Sequence, residues 1–223
     1  MDDRAMPPLS ARLDLPEAVR LQILATEHWS LLATRNIAYN AIFSRASIFL
    51  TVVSAAVVAL ALVAQATAFA GAFYVFALLV LPVALFIGVA TYVRVLDARI
   101  EDFWLVSGMN RVRHAYLEIA PELEPYFVTG HHDDQQGLYE TYGPHTEIRL
   151  YRLLASTSTV VGVIDAAIAG VIGGLIAKAA GAGSVLSLFV GAVVTAVIVV
   201  LLVYVSKRII EGGRGSLQPR FPR

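Results

Sequence analysis

Between Arg45 and Arg94 run 48 consecutive residues without one charged side chain. A helix crosses the roughly 30 Å hydrocarbon layer of a bilayer in about 20 residues. The run is therefore too long for one crossing and suits two joined by a tight turn, expected near Ala70-Gly71-Ala72 with spans at 47–69 and 73–95. A second apolar run, from Arg152 to Lys207, holds only two charges, Asp165 and Lys178. Ala180-Gly181-Ala182-Gly183-Ser184 breaks it, giving spans at 157–179 and 185–206. Composition agrees, with 57% hydrophobic and 15% charged residues, against roughly 45–50% and about a quarter in soluble domains. Lipid can solvate that apolar excess and water cannot. The expected fold is all-α: a four-helix transmembrane protein of two hairpins with helical cytoplasmic extensions.

Basic residues set the expected orientation. Sixteen of the seventeen Lys and Arg lie in the N-terminal segment, the middle segment, the tail or the adjoining span ends, and only Lys178 sits by a hairpin turn. Positive charge is retained in the cytoplasm, so both hairpins enter from there and both termini are cytoplasmic. The expected location is the inner (plasma) membrane. Five acidic residues among the first 30 exclude a cleavable signal peptide there. The chain divides into an N-terminal amphipathic helix (1–45), a first hairpin (46–96), a middle segment with a loop (97–156), a second hairpin (157–206) and a basic, disordered tail (207–223). Zero formal net charge argues against bulk attraction to nucleic acid, and the absence of cysteine excludes disulfides and thiolate chemistry.

Residues 14–45 read as one helix running into the first span, with Asp14 and Glu17 at capping-box spacing and Pro16 in the first turn. Leu21, Leu24, His28, Leu31, Ala38 and Ile42 recur at three- and four-residue steps. That stripe packs on the second helix, lies flat on the membrane or zips to a neighbouring subunit. Past the second span the helix continues through Asn110–Tyr116 and stops near Pro121. Residues 121–146 carry loop breakers, and a short helix from Thr146 to Ser156 leads into the third span. The tail from Lys207 holds five basic residues and one acidic residue, suited to an anionic membrane surface.

Asp165 is the sharpest chemical signal. It lies about nine residues into the third span, where an ionised group costs at least a few kcal/mol and ordinarily faces protein or water. Two readings compete: a pore-lining, proton-coupled or cation-attracting carboxylate, and a structural carboxyl hydrogen-bonded to Ser156, Thr157, Ser158 or Thr159 of a neighbouring helix. Gly162, Ala166, Gly170 and Gly174 form a row at four-residue steps, which lets another helix approach closely. Asp165 lies about 60° around the helix from that row, at or near the packed interface. Lys178 either snorkels to the outer surface or marks an outer mouth. Pro82 and Gly88 in the second span could allow a kink.

The loop His131-His132-Asp133-Asp134 offers imidazole and carboxylate ligands suited to zinc, with His131, His132 and Asp133 the candidate set. Four adjacent residues cannot all reach one ion, so a solvated polar loop is the competing reading. Arg111 and Arg113 could contact an anion or a lipid headgroup, or form a salt-bridged helix surface. No phosphate loop, dinucleotide fingerprint or nucleophile elbow occurs. Neither an enzyme nor a cofactor is expected.

Two stretches carry a resemblance: Glu27-His28-Trp29-Ser30-Leu31-Leu32-Ala33-Thr34-Arg35, and Asn110–Tyr116 followed by Pro121–Phe127 and His132-Asp133-Asp134. They resemble a group of uncharacterised bacterial multi-helix membrane proteins, over about residues 20–140. The resemblance implies a shared fold and supplies no activity. The layout of an amphipathic helix before a membrane hairpin is also distantly similar to pore-forming two-span effector modules. The leading expectation is an oligomeric channel or pore, cation-selective through Asp165, with the lipid bilayer, further copies of the chain and ions as partners and no nucleic acid. The alternative is a membrane-anchored scaffold or signalling subunit acting through its cytoplasmic helices. A carrier fits less well, because both hairpins enter from one side and the chain lacks inverted halves.

Overall fold

The structure is a computed structural model that describes residues 15–143, 156–215 and 218–223. It is helical, with no strand among the described residues. The order is α1 (Glu17–Thr67), α2 (Gly71–Ile119), a 3₁₀ turn (Pro121–Tyr126), α3 (Gln135–Thr141), α4 (Thr157–Ala179) and α5 (Ser184–Gly215). Four of these helices are long and apolar enough to cross a membrane: α1, α2, α4 and α5. The chain is thus an all-α membrane protein with four candidate spans. α1 and α2 have 51 and 49 residues, more than twice what a crossing needs.

The two hairpin turns are built differently. After α4 the backbone of Gly181 adopts a φ of +91°. The Ala182 N–H then reaches the Ala177 carbonyl at 3.0 Å and the Gly181 N–H reaches that of Lys178 at 3.0 Å. This is the glycine-dependent closure that satisfies the last carbonyls of a helix, and it falls where the sequence placed the break. The first turn differs from expectation. It occupies Ala68–Ala70, and Gly71 is already the first residue of α2. Ala68 and Phe69 adopt positive φ, 48° and 61°, a conformation costing L-residues roughly 1–2 kcal/mol each.

The chain forms two compact units. One comprises residues 36–104 and 146–218, and its core is Phe49, Ala77, Leu81, Ala84, Tyr92, Leu96, Val161 and Ile168. Tyr92 closes α2 onto α5 by donating its hydroxyl to the Leu202 carbonyl at 2.9 Å. α4 starts at Thr157 because the Ser156 side chain accepts the Thr159 N–H at 3.3 Å, supplying an N-cap. The fourth helix does not end near 206 as expected. It runs to Gly215, so the first half of the presumed disordered tail is helix.

The other unit comprises residues 1–35, 105–145 and 219–223. Here the amphipathic stripe of α1 packs on α2: the His28 and Tyr116 rings stack at 6.1 Å, and the Leu31 side chain lies over Gly108. The expected cap Asp14 and the expected helix before Ser156 lie outside the described residues.

Candidate functional site

Two buried aspartates, one in each unit, organise the candidate chemistry. Asp165 projects from α4 and is 0% exposed. Neither carboxylate oxygen has a hydrogen-bond partner among the described residues. Within the chain, Ser156 bonds to Ser158 and to Thr159. Its carboxyl points at α2. A Cβ on Gly88 would fall onto Asp165 Oδ1 and lie 2.7 Å from Phe49 Cε2. Gly88 is therefore the missing side chain that makes room for the acid, a role different from the kink the sequence suggested. The carboxyl sits among α1, α2 and α4 of its own chain.

The small-residue row has a partner within the chain, α5. A Cβ on Gly170 would strike Thr195 Oγ1 and approach the Gly191 carbonyl at 2.7 Å, and one on Gly174 would lie 3.1 Å from the Ser187 carbonyl. Gly191 faces both glycines from α5, so the close approach is glycine against glycine. Ala166 is 0% exposed, and Gly162 sits beneath the Tyr92 ring and Leu202. An open groove of about 540 Å³ lies along this contact, lined by Gly170, Gly174, Ser187, Gly191 and Thr195 with Lys178. Lys178 is exposed and donates to Ser184 Oγ at 3.1 Å across the turn.

Asp133 is the opposite case: 2% exposed and fully partnered. Oδ2 accepts from Arg111 Nε at 2.6 Å and from the Arg220 N–H at 2.9 Å. Oδ1 accepts from the Phe221 N–H at 2.8 Å and from the Arg220 N–H at 3.1 Å. Burial opposes ionisation here, but the backbone donors of Arg220 and Phe221 and the Arg111 guanidinium outweigh it and hold the carboxyl below its usual range. Asp134 caps α3 by accepting the Gly137 N–H at 2.8 Å and also takes the Arg223 N–H at 3.2 Å.

The metal reading of His131, His132 and Asp133 is corrected by this arrangement. Among the described residues no group of three or more histidine and acidic side chains is placed to hold an ion, and both Asp133 oxygens are committed to N–H donors. The three imidazoles of His114, His131 and His132 cluster with ring centroids 4.2–6.2 Å apart, while His132 Nδ1 is engaged 3.3 Å from the Phe221 carbonyl.

The two arginines expected to meet an anion have separate fates. Arg111 pairs with Asp133. Arg113 is 7% exposed and donates to Asn110 Oδ1 at 2.8 Å. Burial lowers its pKa, and the nearby Arg35 charge adds to the effect. Sequence reasoning missed Asn110, which is 0% exposed. Its amide donates to the His132 carbonyl at 2.7 Å and the Gly137 carbonyl at 3.2 Å, and its oxygen accepts from Thr141 Oγ1 at 2.8 Å. A buried, fully bonded amide fixes the loop to α2. It missed segment 219–223 as well, because the composition of the tail reads as disorder.

The chain matches no family model, no curated protein and no solved structure.

Proposed function

We propose that the chain is a subunit of an oligomeric channel or pore, cation-selective, in the inner membrane with both termini cytoplasmic. Asp165 is the intramembrane group that a permeating cation or proton meets. The observation that carries the reading is the Asp165 carboxyl itself: buried among apolar spans with two oxygens that no group among the described residues satisfies. Ionisable groups at such depth cost several kcal/mol and mark ion or proton paths by default. An unpartnered carboxylate retains its coordinating capacity for a passing ion, which a hydrogen-bonded one has spent. Phe49, Leu96 and Val161 fill the interior of the four-helix unit, so a water path calls for several copies and for α2 to part from α4 at Gly88. The asymmetric distribution of Lys and Arg supports the orientation.

The test is conductance of purified protein in planar bilayers with Asp165→Asn as the comparison. The expected result is unitary current whose cation preference falls several-fold in the variant, from protein that runs as an oligomer. Absence of current, or a selectivity indifferent to residue 165, sinks the reading. The second reading, a scaffold or signalling subunit, is favoured by a different observation: the unit around Asp133 already grips a short piece of polypeptide, residues 219–223.

A further inference from the structure

The grip of Asp133 on residues 219–223 has the form of a peptide complex. Segment Pro219-Arg220-Phe221-Pro222-Arg223 contains three backbone N–H groups, those of Arg220, Phe221 and Arg223, and all three are spent on Asp133 or Asp134. The two prolines have no N–H to satisfy, and the chain bends at Arg220 and Phe221 between them, which turns both N–H groups onto one carboxylate. The Phe221 carbonyl receives the Asp133 N–H at 3.4 Å and faces His132 Nδ1. Side-chain recognition adds to this backbone pairing: the Phe221 ring stacks on His114 with centroids 4.4 Å apart, and the Arg223 guanidinium pairs with Glu140. Main-chain bonds supply affinity and side-chain contacts supply specificity, as in peptide recognition generally.

The cleft does not need the segment for its shape. Asn110 ties the loop to α2 through the His132 and Gly137 carbonyls. Gly137 lets the loop close against His132, whose carbonyl occupies the place of a Cβ. Asp134 caps α3. These bonds are all made among residues 110–141. The segment itself is shallowly seated, with Phe221 half-buried and Pro219, Arg220, Pro222 and Arg223 exposed. An acidic cleft whose own bonds lie among residues 110–141, holding a short, mostly exposed segment by one aromatic anchor, describes an exchangeable ligand.

We propose that Arg111, His114, His132, Asp133, Asp134 and Glu140 form a binding site for a short arginine-aromatic peptide bent at its Arg-Phe step. Segment 219–223 fills it in cis as a displaceable latch. Tethering keeps the segment at the millimolar effective concentrations typical of short links, so an incoming peptide of the same chemistry binds only by displacing it. This site stands independently of the Asp165 reading.

The experiment uses a fluorescent synthetic peptide, Leu-Gln-Pro-Arg-Phe-Pro-Arg, titrated by anisotropy into the chain in lipid nanodiscs. Two forms are compared: the full chain and a chain shortened after Gly215. The shortened form should bind at least ten-fold tighter, because its internal competitor is gone. A peptide N-methylated at the amides of its Phe and the preceding Arg should bind the shortened form at least ten-fold weaker. That arm changes only the ligand, so it needs no substitution in the cleft. Failure of the peptide to bind the shortened chain, equal affinity for both chains, or indifference to N-methylation would each overturn the proposal.

Discussion

Asp165 and Asp133 are both buried aspartates, yet they are opposites. Asp133 at 2% exposure has a guanidinium and two backbone N–H groups on its oxygens, and Asp165 at 0% has no partner among the described residues. Burying an ionised group costs several kcal/mol unless partners replace the lost water. Asp133 has replaced its water completely, and its negative charge is part of the architecture. Asp165 has no such replacement among the described residues, so burying its carboxyl works against the folded state. Burial alone does not distinguish the two acids. The inventory of partners does.

The largest expected effect tests the partnered side. Asp133→Ala strands Arg111 and the two N–H donors of the segment, and should cost about 3 kcal/mol, read as lost hydrogen-exchange protection across 131–141 and at Arg220 and Phe221. Asp165→Val, close in volume, should leave thermal stability unchanged or raise it by about 1–2 kcal/mol, while abolishing cation-selective current. If the valine variant proves less stable than Asp133→Ala, the contrast between the two acids is wrong.

A second substitution sharpens the unpartnered side. Gly88→Ala places a methyl group on the Asp165 carboxyl and against Phe49, at a cost of about 2 kcal/mol from overpacking. Combined with Asp165→Ala, the same change should cost about 1 kcal/mol less, because the carboxyl is gone and only Phe49 still crowds the site. Strict additivity in thermal melts would mean that the acid does not occupy the space Gly88 leaves.

How much of this could be read from sequence follows from which facts are one-dimensional. Spans are a matter of run length, so α4 was placed at 157–179 as observed. The break at Gly181 was legible because glycine accepts positive φ. Asp165 stood out because it interrupts an apolar run, but its neighbours Phe49 and Gly88 come from other helices, and no local pattern announces that a glycine there makes room for an acid. The His131–Asp134 loop looked like metal chemistry because the ligand types were right. What it does depends on Arg111, a helix away, and on Arg220 and Phe221, from a tail whose composition suggested disorder. Backbone N–H groups carry no sequence signature, so a site that recognises them is invisible before folding.

Acidification should loosen the partnered site in two stages. Burial, then the neighbouring His132, lower the pKa of His131, with His114 and Arg223 adding and Glu124 opposing. A histidine with a depressed folded pKa contributes stability that is present above its ordinary value of 6.5 and is lost as pH falls through the lower folded value. Asp133, also depressed, holds its contribution above 3.8 and loses it below. Amide exchange at Arg220 and Phe221, corrected for intrinsic rate, should therefore quicken modestly below pH 6.5 and steeply below 3.8. Protection that increases on acidification contradicts the assignment of Asp133 as the anionic partner.

The smallest effect carries the same test, whether an unfavourable feature has its compensation, from side chains to backbone. Gly181 meets its positive φ with the residue that tolerates it, whereas Ala68 and Phe69 adopt theirs with side chains attached. Gly181→Ala should cost about 1 kcal/mol. Ala68→Gly relieves strain at one of two adjoining positions but loosens the unfolded chain, so a net gain below about 1 kcal/mol is expected. The comparison is a pair of melting curves in one detergent, with shifts of opposite sign. A loss of stability in Ala68→Gly would mean that the Ala68 methyl makes packing contacts outweighing its strain, so that the first hairpin turn, like Asp133, is compensated where it stands.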